Sequence, residues 1–595
     1  MHSCARTCWL GLSLLLTSCS PSAPPSETVD AGALDQGAPP TVEAGVKFVD
    51  EAEASGLRFT HWNGMAGQTY FVEPVGAGAG LADLDGDGDL DVILVQGAAL
   101  VTETQSEEYS PLFEAPVQPG TRVFRNDLQT HADGERRLAF VDVTDQSGLE
   151  ALGYGMGVAT GDFDNDGRID FYLANFGDNQ LWRNVSSDGK IAFENVTASA
   201  GVNEPKWSTS ASFVDLNGDG WLDLYVANYV DFTLERHRIC RSASGRQDYC
   251  GPNSYEGEPD RLFLNRGNGT FQDISVISGI AAEPSSGLGV VSADLDRDGL
   301  IDIYVANDLR RNLLWRNLGS VDGVPRFEET ALLSGTAVSM EGRAQASMGI
   351  VAGDLDADGD DDLFMTHLMG DTNTLYLNDG NGSFRDVSLG SGMAAPSRPF
   401  TGFGTVLIDV ENNGTLDAVV ANGEVRVIEE QALAKDPLPL RQVNQLFINN
   451  GSGRFVDQSA QAGIEFDRLE VSRALALGDV DNDGRSDLLL SNNSGPARLL
   501  MNRTVTDNQW LGLRVLTAEG RDALGAQVAV EVAEGRWLWR RVATDGSYLA
   551  ANDPRVLVGL GPDARKVNVR VRMPGAGEQA WEALEAGRYH TLVLP

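Results

Sequence analysis

The chain is short of positive charge. Lys and Arg number 45 against 86 Asp and Glu, a formal net charge of −41. Contacts to a phosphate backbone need Lys and Arg, so this balance argues against a nucleic-acid partner. Histidine is scarce too, and His2, His61, His131, His237, His367 and His590 are scattered. No H-E-x-x-H, phosphate-binding loop or nucleotide-binding glycine fingerprint occurs, and spacing gives no Ser/His/Asp constellation. Cysteine is sparse, five in 595 residues. Long apolar runs are missing as well. Residues 9–16, behind Arg6, are too short to anchor the chain across a bilayer and read as the core of an export signal.

What is abundant is acid, and it is arranged. The pattern D-x-[DEN]-x-[DN]-G-x-x-D starts at Asp83, Asp162, Asp215, Asp294, Asp354, Asp409 and Asp479. Oxygens at loop positions 1, 3, 5 and 9 can wrap a hard cation, and position 7 can add its backbone carbonyl whatever its side chain. A glycine at position 6 allows the sharp turn. The candidate ligands are Asp83, Asp85, Asp87, Asp89 and Asp91 in the first loop, and Asp162, Asp164, Asp166, Arg168 and Asp170 in the second. The third offers Asp215, Asn217, Asp219, Trp221 and Asp223, and the fourth Asp294, Asp296, Asp298, Leu300 and Asp302. The fifth offers Asp354, Asp356, Asp358, Asp360 and Asp362, and with Asp361 is expected to be the most electronegative. The sixth, Asp409, Glu411, Asn413 and Asp417, is the most diluted. The seventh has Asp479, Asp481, Asp483, Arg485 and Asp487. Ca²⁺, which takes about six to eight oxygens at roughly 2.3–2.6 Å, is the expected ion.

Apolar, strand-like residues flank every loop. Two further strands recur with it: one ending in Asn (Asn126, Asn184, Asn265, Asn317, Asn378, Asn449, Asn502) and one led by Phe (Phe140, Phe193, Phe271, Phe327, Phe384, Phe455). Four short strands per repeat predict an all-β chain, a seven-bladed β-propeller with calcium-loop hairpins over 46–505. A Phe-led strand also stands before the first loop, at Phe48, and is missing after Asn502. It is expected to complete the seventh blade, which otherwise keeps an open edge. A linear solenoid is the alternative and has no need of that displaced strand. Loop, strands and count together resemble the FG-GAP/VCBS repeats, a family that includes the calcium-binding propellers of integrin α chains.

Residues 506–595 carry 11 Asp and Glu and 11 Lys and Arg, so the excess acid lies in the repeats. This segment reads as a small β-rich domain. Its residues 521–526, 546–549, Asn552-Asp553-Pro554 and 559–561 resemble the ASPIC/UnbV domain, found behind VCBS repeats in bacterial exported proteins and the cartilage acidic protein-like group. Those motif residues are read first as turn formers. At the other end, Leu16-Thr17-Ser18-Cys19 resembles the bacterial lipobox, which implies removal of 1–18, lipidation at Cys19 and a disordered tether over 19–45. Outer-membrane anchoring or secretion follows. Cys240 and Cys250 are expected to form a disulfide in an oxidising compartment. The leading function is a binding or scaffold module for an extracellular protein or glycan, not an enzyme, touching a membrane only through its lipid. The second is a hydrolase or lyase acting on a polymer over the ring's channel, its site built from the insertions at 96–122, 230–261 and 423–445.

Overall fold

The apolar runs of each repeat become strands because Gly, Asn and Asp turns break the chain between them. The computed structural model describes residues 45–101, 109–118, 120–131 and 136–595. The export signal, Cys19 and the tether lie outside the described residues. The described chain is all-β, and its α-helices are only four or five residues long.

Each of the first six repeats gives four antiparallel strands. In the second they are Tyr154–Gly161, Asp170–Asp178, Gln180–Asn184 and Phe193–Asn195, hydrogen-bonded in that order. The loop joins the first two, the Asn-ended strand is third and the Phe-led strand is outermost. The second and third repeats share one eight-stranded sheet, because Asp170–Asp178 runs on to pair with Pro205–Val214. The last sheet takes Ser472–Gly478, Asp487–Asn492 and Arg498–Asn502 from the C-terminal repeat and Phe48–Asp50 from the start of the chain. Its register sets Phe48 opposite Asn502. Phe48 is buried against Phe466, and burying such a ring contributes about 1.5–3 kcal/mol.

Successive repeats lie side by side through their first strands, and Ser472–Gly478 of the last touches Ala79–Ala82 of the first. Backbones approach so closely there that side chains are excluded. A Cβ on Gly157 would lie 2.4 Å from the Thr209 carbonyl, and one on Gly349 2.0 Å from that of Phe403. The Asn that ends each third strand secures the neighbour. Asn184 Nδ2 donates to the Leu84 carbonyl in the preceding loop at 2.8 Å, and Asn265, Asn317, Asn378, Asn449 and Asn502 repeat that reach. Asn126 of the first repeat donates to Val480 in the seventh loop at 3.2 Å. The series therefore returns to its start.

The C-terminal segment forms two sheets. One is Gln509–Leu516 between Val556–Gly561 and Tyr589–Val593; the other runs Arg536–Arg541, Gln527–Ala533, Lys566–Arg572, Glu578–Glu585. They share an apolar core that includes Leu511, Leu513, Val528 and Val569. Residues 544–553 leave this module and enter the middle of the repeats. Ser547 exchanges backbone hydrogen bonds with Ile350 at 2.6 and 3.0 Å, and its Oγ donates to Leu475 O at 2.7 Å. Gly546 N donates to Val290 O, Thr544 Oγ1 to Thr160 O, Leu549 N to Ser210 Oγ, and Thr405 N to Ser547 Oγ. Ala550 and Ala551 extend the first sheet beside Ala79 and Gly80. One segment thus bonds to the first strand of all seven repeats. Tyr548 is fully buried, its hydroxyl donating to Val75 O at 2.9 Å. The turn-former reading of 546–549 accounts for the bend, since Ser547 and Leu549 hold positive φ of 64° and 55°, but misses this central docking. No helix among the described residues is long and apolar enough to cross a membrane.

Candidate metal centres

Each acidic loop is held in shape by its own first and last residues. The glycine of position 6 has positive φ in every copy, 83° to 93°. Its N–H donates to the first Asp, as in Gly167 to Asp162 at 2.8 Å and Gly484 to Asp479 at 2.8 Å. The ninth residue ties the loop to the sheet. Asp91 accepts from Leu84 N at 2.8 Å with one oxygen and from Asn126 N at 2.9 Å with the other. The same pair of bonds recurs at Asp170, Asp223, Asp302, Asp362, Asp417 and Asp487. So the ninth Asp organises the hairpin as well as facing the loop, a role the ligand pattern alone does not reveal. The fourth residue can link loops: Asn165 donates to Gly220 O, Asn412 to Gly484 O and Asn482 to Gly88 O.

The donor set fits a hard cation. Five loops bring three carboxylates together with oxygens within 4.8 Å of one another: Asp83, Asp85, Asp91; Asp162, Asp164, Asp170; Asp294, Asp296, Asp298; Asp354, Asp356, Asp362; and Asp479, Asp481, Asp483. In each, a buried carboxylate oxygen has no hydrogen-bond partner, including Asp85 Oδ1, Asp164 Oδ1, Asp294 Oδ1, Asp356 Oδ1 and Asp481 Oδ1. Buried acceptors are rarely left unpaired, and a cation would satisfy them. Burial raises Asp354 and Asp479 to about 7 and Asp302 to about 8, and it lifts Asp91, Asp170, Asp362 and Asp487 well above the usual range. A divalent ion at these positions would hold them ionised. The residues to hold it are the loop carboxylates, with the position-7 carbonyls of Asp89, Arg168, Leu300, Asp360 and Arg485 completing the expected set.

Arginines temper the charge. Arg168 and Arg485 turn their guanidinium groups onto Asp166 and Asp483. In the fifth loop Asp360 pairs with Arg297, and Asp361 lies 3.9 Å from Arg541, so its two extra acids already face positive partners. The C-terminal module lies over the loops and supplies more. Arg514 approaches Asp83 at 3.5 Å. Arg555 donates to Asn482 Oδ1 at 2.7 Å and to Asp479 O at 3.1 Å, and the Tyr589 hydroxyl donates to Asp479 Oδ2 at 2.9 Å. No signal in the repeats marks this lid.

Away from the loops, Cys240 and Cys250 are joined by a disulfide within the 230–261 insertion. His367 is buried with Nε2 2.8 Å from Thr374 Oγ1, and burial lowers it to about 4; burial also lowers His61 to about 3. Beneath the insertions, Phe71, Tyr229, Met348 and Phe403 line a small cavity of about 40 Å³. Glu103, Glu107 and Glu108 of the first insertion lie outside the described residues.

FG-GAP-like repeats match at 162–226, 243–305, 294–365 and 354–420, and the ASPIC and UnbV domain matches at 516–595. The chain is similar to cartilage acidic protein 1 of Mus musculus, 24% identical over 385 residues covering 55% of each chain. The Homo sapiens protein of that name is 24% identical over 380 residues, 53% of this chain and 54% of that one. The chain thus spans about half the length of the curated relatives it matches. Among solved structures, an Agrocybe aegerita lectin aligns with a TM-score of 0.36 and 16% identity, covering 64% of this chain and 88% of that one.

Proposed function

We propose that this chain is an exported, calcium-binding seven-bladed propeller that serves as a binding or scaffold module at a bacterial cell envelope. The observation that carries the metal reading is the recurrence, in five loops, of three converging carboxylates with a buried, partnerless oxygen. Ring closure is supported by the Phe48 to Asn502 register and by Asn126 reaching the seventh loop. The C-terminal module acts as a lid on the loop face, so metal and lid stabilise the same surface. Residues 1–18 are the signal and Cys19 carries the lipid, which leaves the tether to hold the ring off a membrane.

The ligand is an extracellular protein or glycan, bound on the insertion face or the rim. The enzyme reading ranks second. It wants an open channel, whereas residues 544–553 occupy the middle of the repeats. Screening the mature chain against glycan and envelope-protein arrays, with calcium and with chelator, tests the function. A specific, chelator-sensitive binder is expected; turnover of a polymer in place of binding would reverse the order. Cys19→Ser is expected to shift the protein from membrane to soluble fractions, and retention at the membrane would remove the anchor.

A further inference from the structure

Two of the seven loops differ from the rest at the atoms between positions 3 and 5. In the third, Asn217 Nδ2 donates to Asp219 Oδ2 and to Gly323 O, both at 2.9 Å, while its Oδ1 accepts from Asp219 N at 3.1 Å. The amide orientation is fixed, because a flip would set oxygen against a carbonyl and a carboxylate. In the sixth, Asn413 Nδ2 donates to Glu411 Oε2 at 3.2 Å, and its Oδ1 accepts from Thr415 N at 2.8 Å and Thr415 Oγ1 at 2.6 Å. An N–H stands where the other loops converge oxygens, and N–H cannot ligate a cation.

The leading carboxylates of these loops are satisfied without an ion. Asp215 accepts from the backbone of Gly218, Asp219 and Gly220. Asp409 accepts from Asn413 N and Gly414 N, and the Gly559 backbone of the C-terminal module packs onto it so tightly that a Cβ there would lie 2.1 Å from its Oδ2. Each loop also receives an arginine from that module. Arg521 donates to Gly220 O at 3.2 Å and stands 3.9 Å from Asp215; Arg540 donates to Gly414 O at 3.0 Å. Neither loop forms the three-carboxylate group, and among the described residues neither has a buried carboxylate oxygen without a partner. The one orphan there, Asn412 Oδ1, is a neutral amide at a position that does not ligate.

We propose that the loops starting at Asp215 and Asp409 take no metal, and that in them an asparagine amide and an arginine of the C-terminal module replace the cation that the other five bind. This rests on the calcium reading above. The two kinds of loop then divide the ring between metal-dependent hairpins and hairpins whose charge is balanced by the lid.

Calcium per chain after equilibrium dialysis of the mature protein, measured by plasma mass spectrometry, tests it. Five ions are expected, one per three-carboxylate group. Seven would overturn the inference, whereas none at all would overturn the calcium reading itself. Asn217→Asp and Asn413→Asp are each expected to add one ion with the circular-dichroism spectrum unchanged. A folded double variant that still holds five would show that the amides do not close these loops. Should those variants fold poorly, Asp164→Asn decides: it is expected to lose one ion, and an unchanged count would overturn the assignment of metal to the second loop.

Discussion

The repeats and the C-terminal module solve opposite halves of one electrostatic problem. The repeats carry the acid, much of it in loops where burial has stripped carboxylates of water. The module has no net charge, yet it turns Arg514, Arg521, Arg540 and Arg555 onto those loops. A buried carboxylate can be balanced by a bound cation or by a guanidinium fixed on a neighbouring fold. The difference explains why 506–595 is not an appendage: it is the fixed part of the counter-charge, and its segment 544–553 is the centre of the assembly.

Removing contacts from the repeats or from the module should cost stability in a definite order. The largest effect is expected from deleting residues 45–56, which strips Phe48–Asp50 from the last sheet. An unpaired edge invites association, so size-exclusion chromatography should show aggregates, and a monodisperse monomer would argue that the repeats hold together without this strand. Next, Tyr548→Ala cuts a buried ring and its bond to Val75 from the central segment. A loss of about 3–5 kcal/mol is expected in denaturant unfolding; under about 1 kcal/mol would mean the segment only fills space. Smaller still, Asn184→Ala leaves two buried carbonyls, Leu84 and Ile169, without a donor. It should cost about 1–3 kcal/mol.

The pH response separates the metal-free from the metal-bound protein. Without metal, Asp354, Asp479 and Asp302 take up protons near 7, 7 and 8, against 3.8 ordinarily, because they are buried. Between those values the folded state holds more protons than the unfolded chain, so stability falls as pH rises. The chelated protein should therefore melt higher at pH 5 than at pH 8. With calcium bound the carboxylates are held ionised, and the order should reverse as protons displace metal at low pH. The same order in both samples would mean that the loops do not hold the ion.

Much of the architecture was legible in the sequence because each repeat writes its own geometry locally. Loop, flanking strands and Phe-led strand are contiguous, and even the displaced Phe48 strand announces itself by its absence after Asn502. What was not legible is what depends on contacts far apart in sequence. Gly546-Ser547-Tyr548 reads like any surface turn, and only its bonds to Val290, Ile350 and Val75 reveal a central plug. The strand-end Asn recurs visibly, but its reach to the preceding repeat's loop has no local signature. The loops at Asp215 and Asp409 differ from their siblings by single atoms, amide nitrogen for carboxylate oxygen, and the orientation of Asn217 is set by Gly323 in the next repeat.

If bound calcium holds the repeats together, removing it must cost stability. Ligand that binds only the folded state adds about 2.7 kcal/mol per site at a hundredfold excess over Kd. Scanning calorimetry of the mature chain in calcium, in chelator, and after restoring calcium or magnesium is the direct measurement. A large fall in Tm is expected on chelation, reversed by calcium and much less by magnesium, whose tight octahedral shell suits these loops poorly. A melting curve that does not move in chelator would contradict that role of calcium.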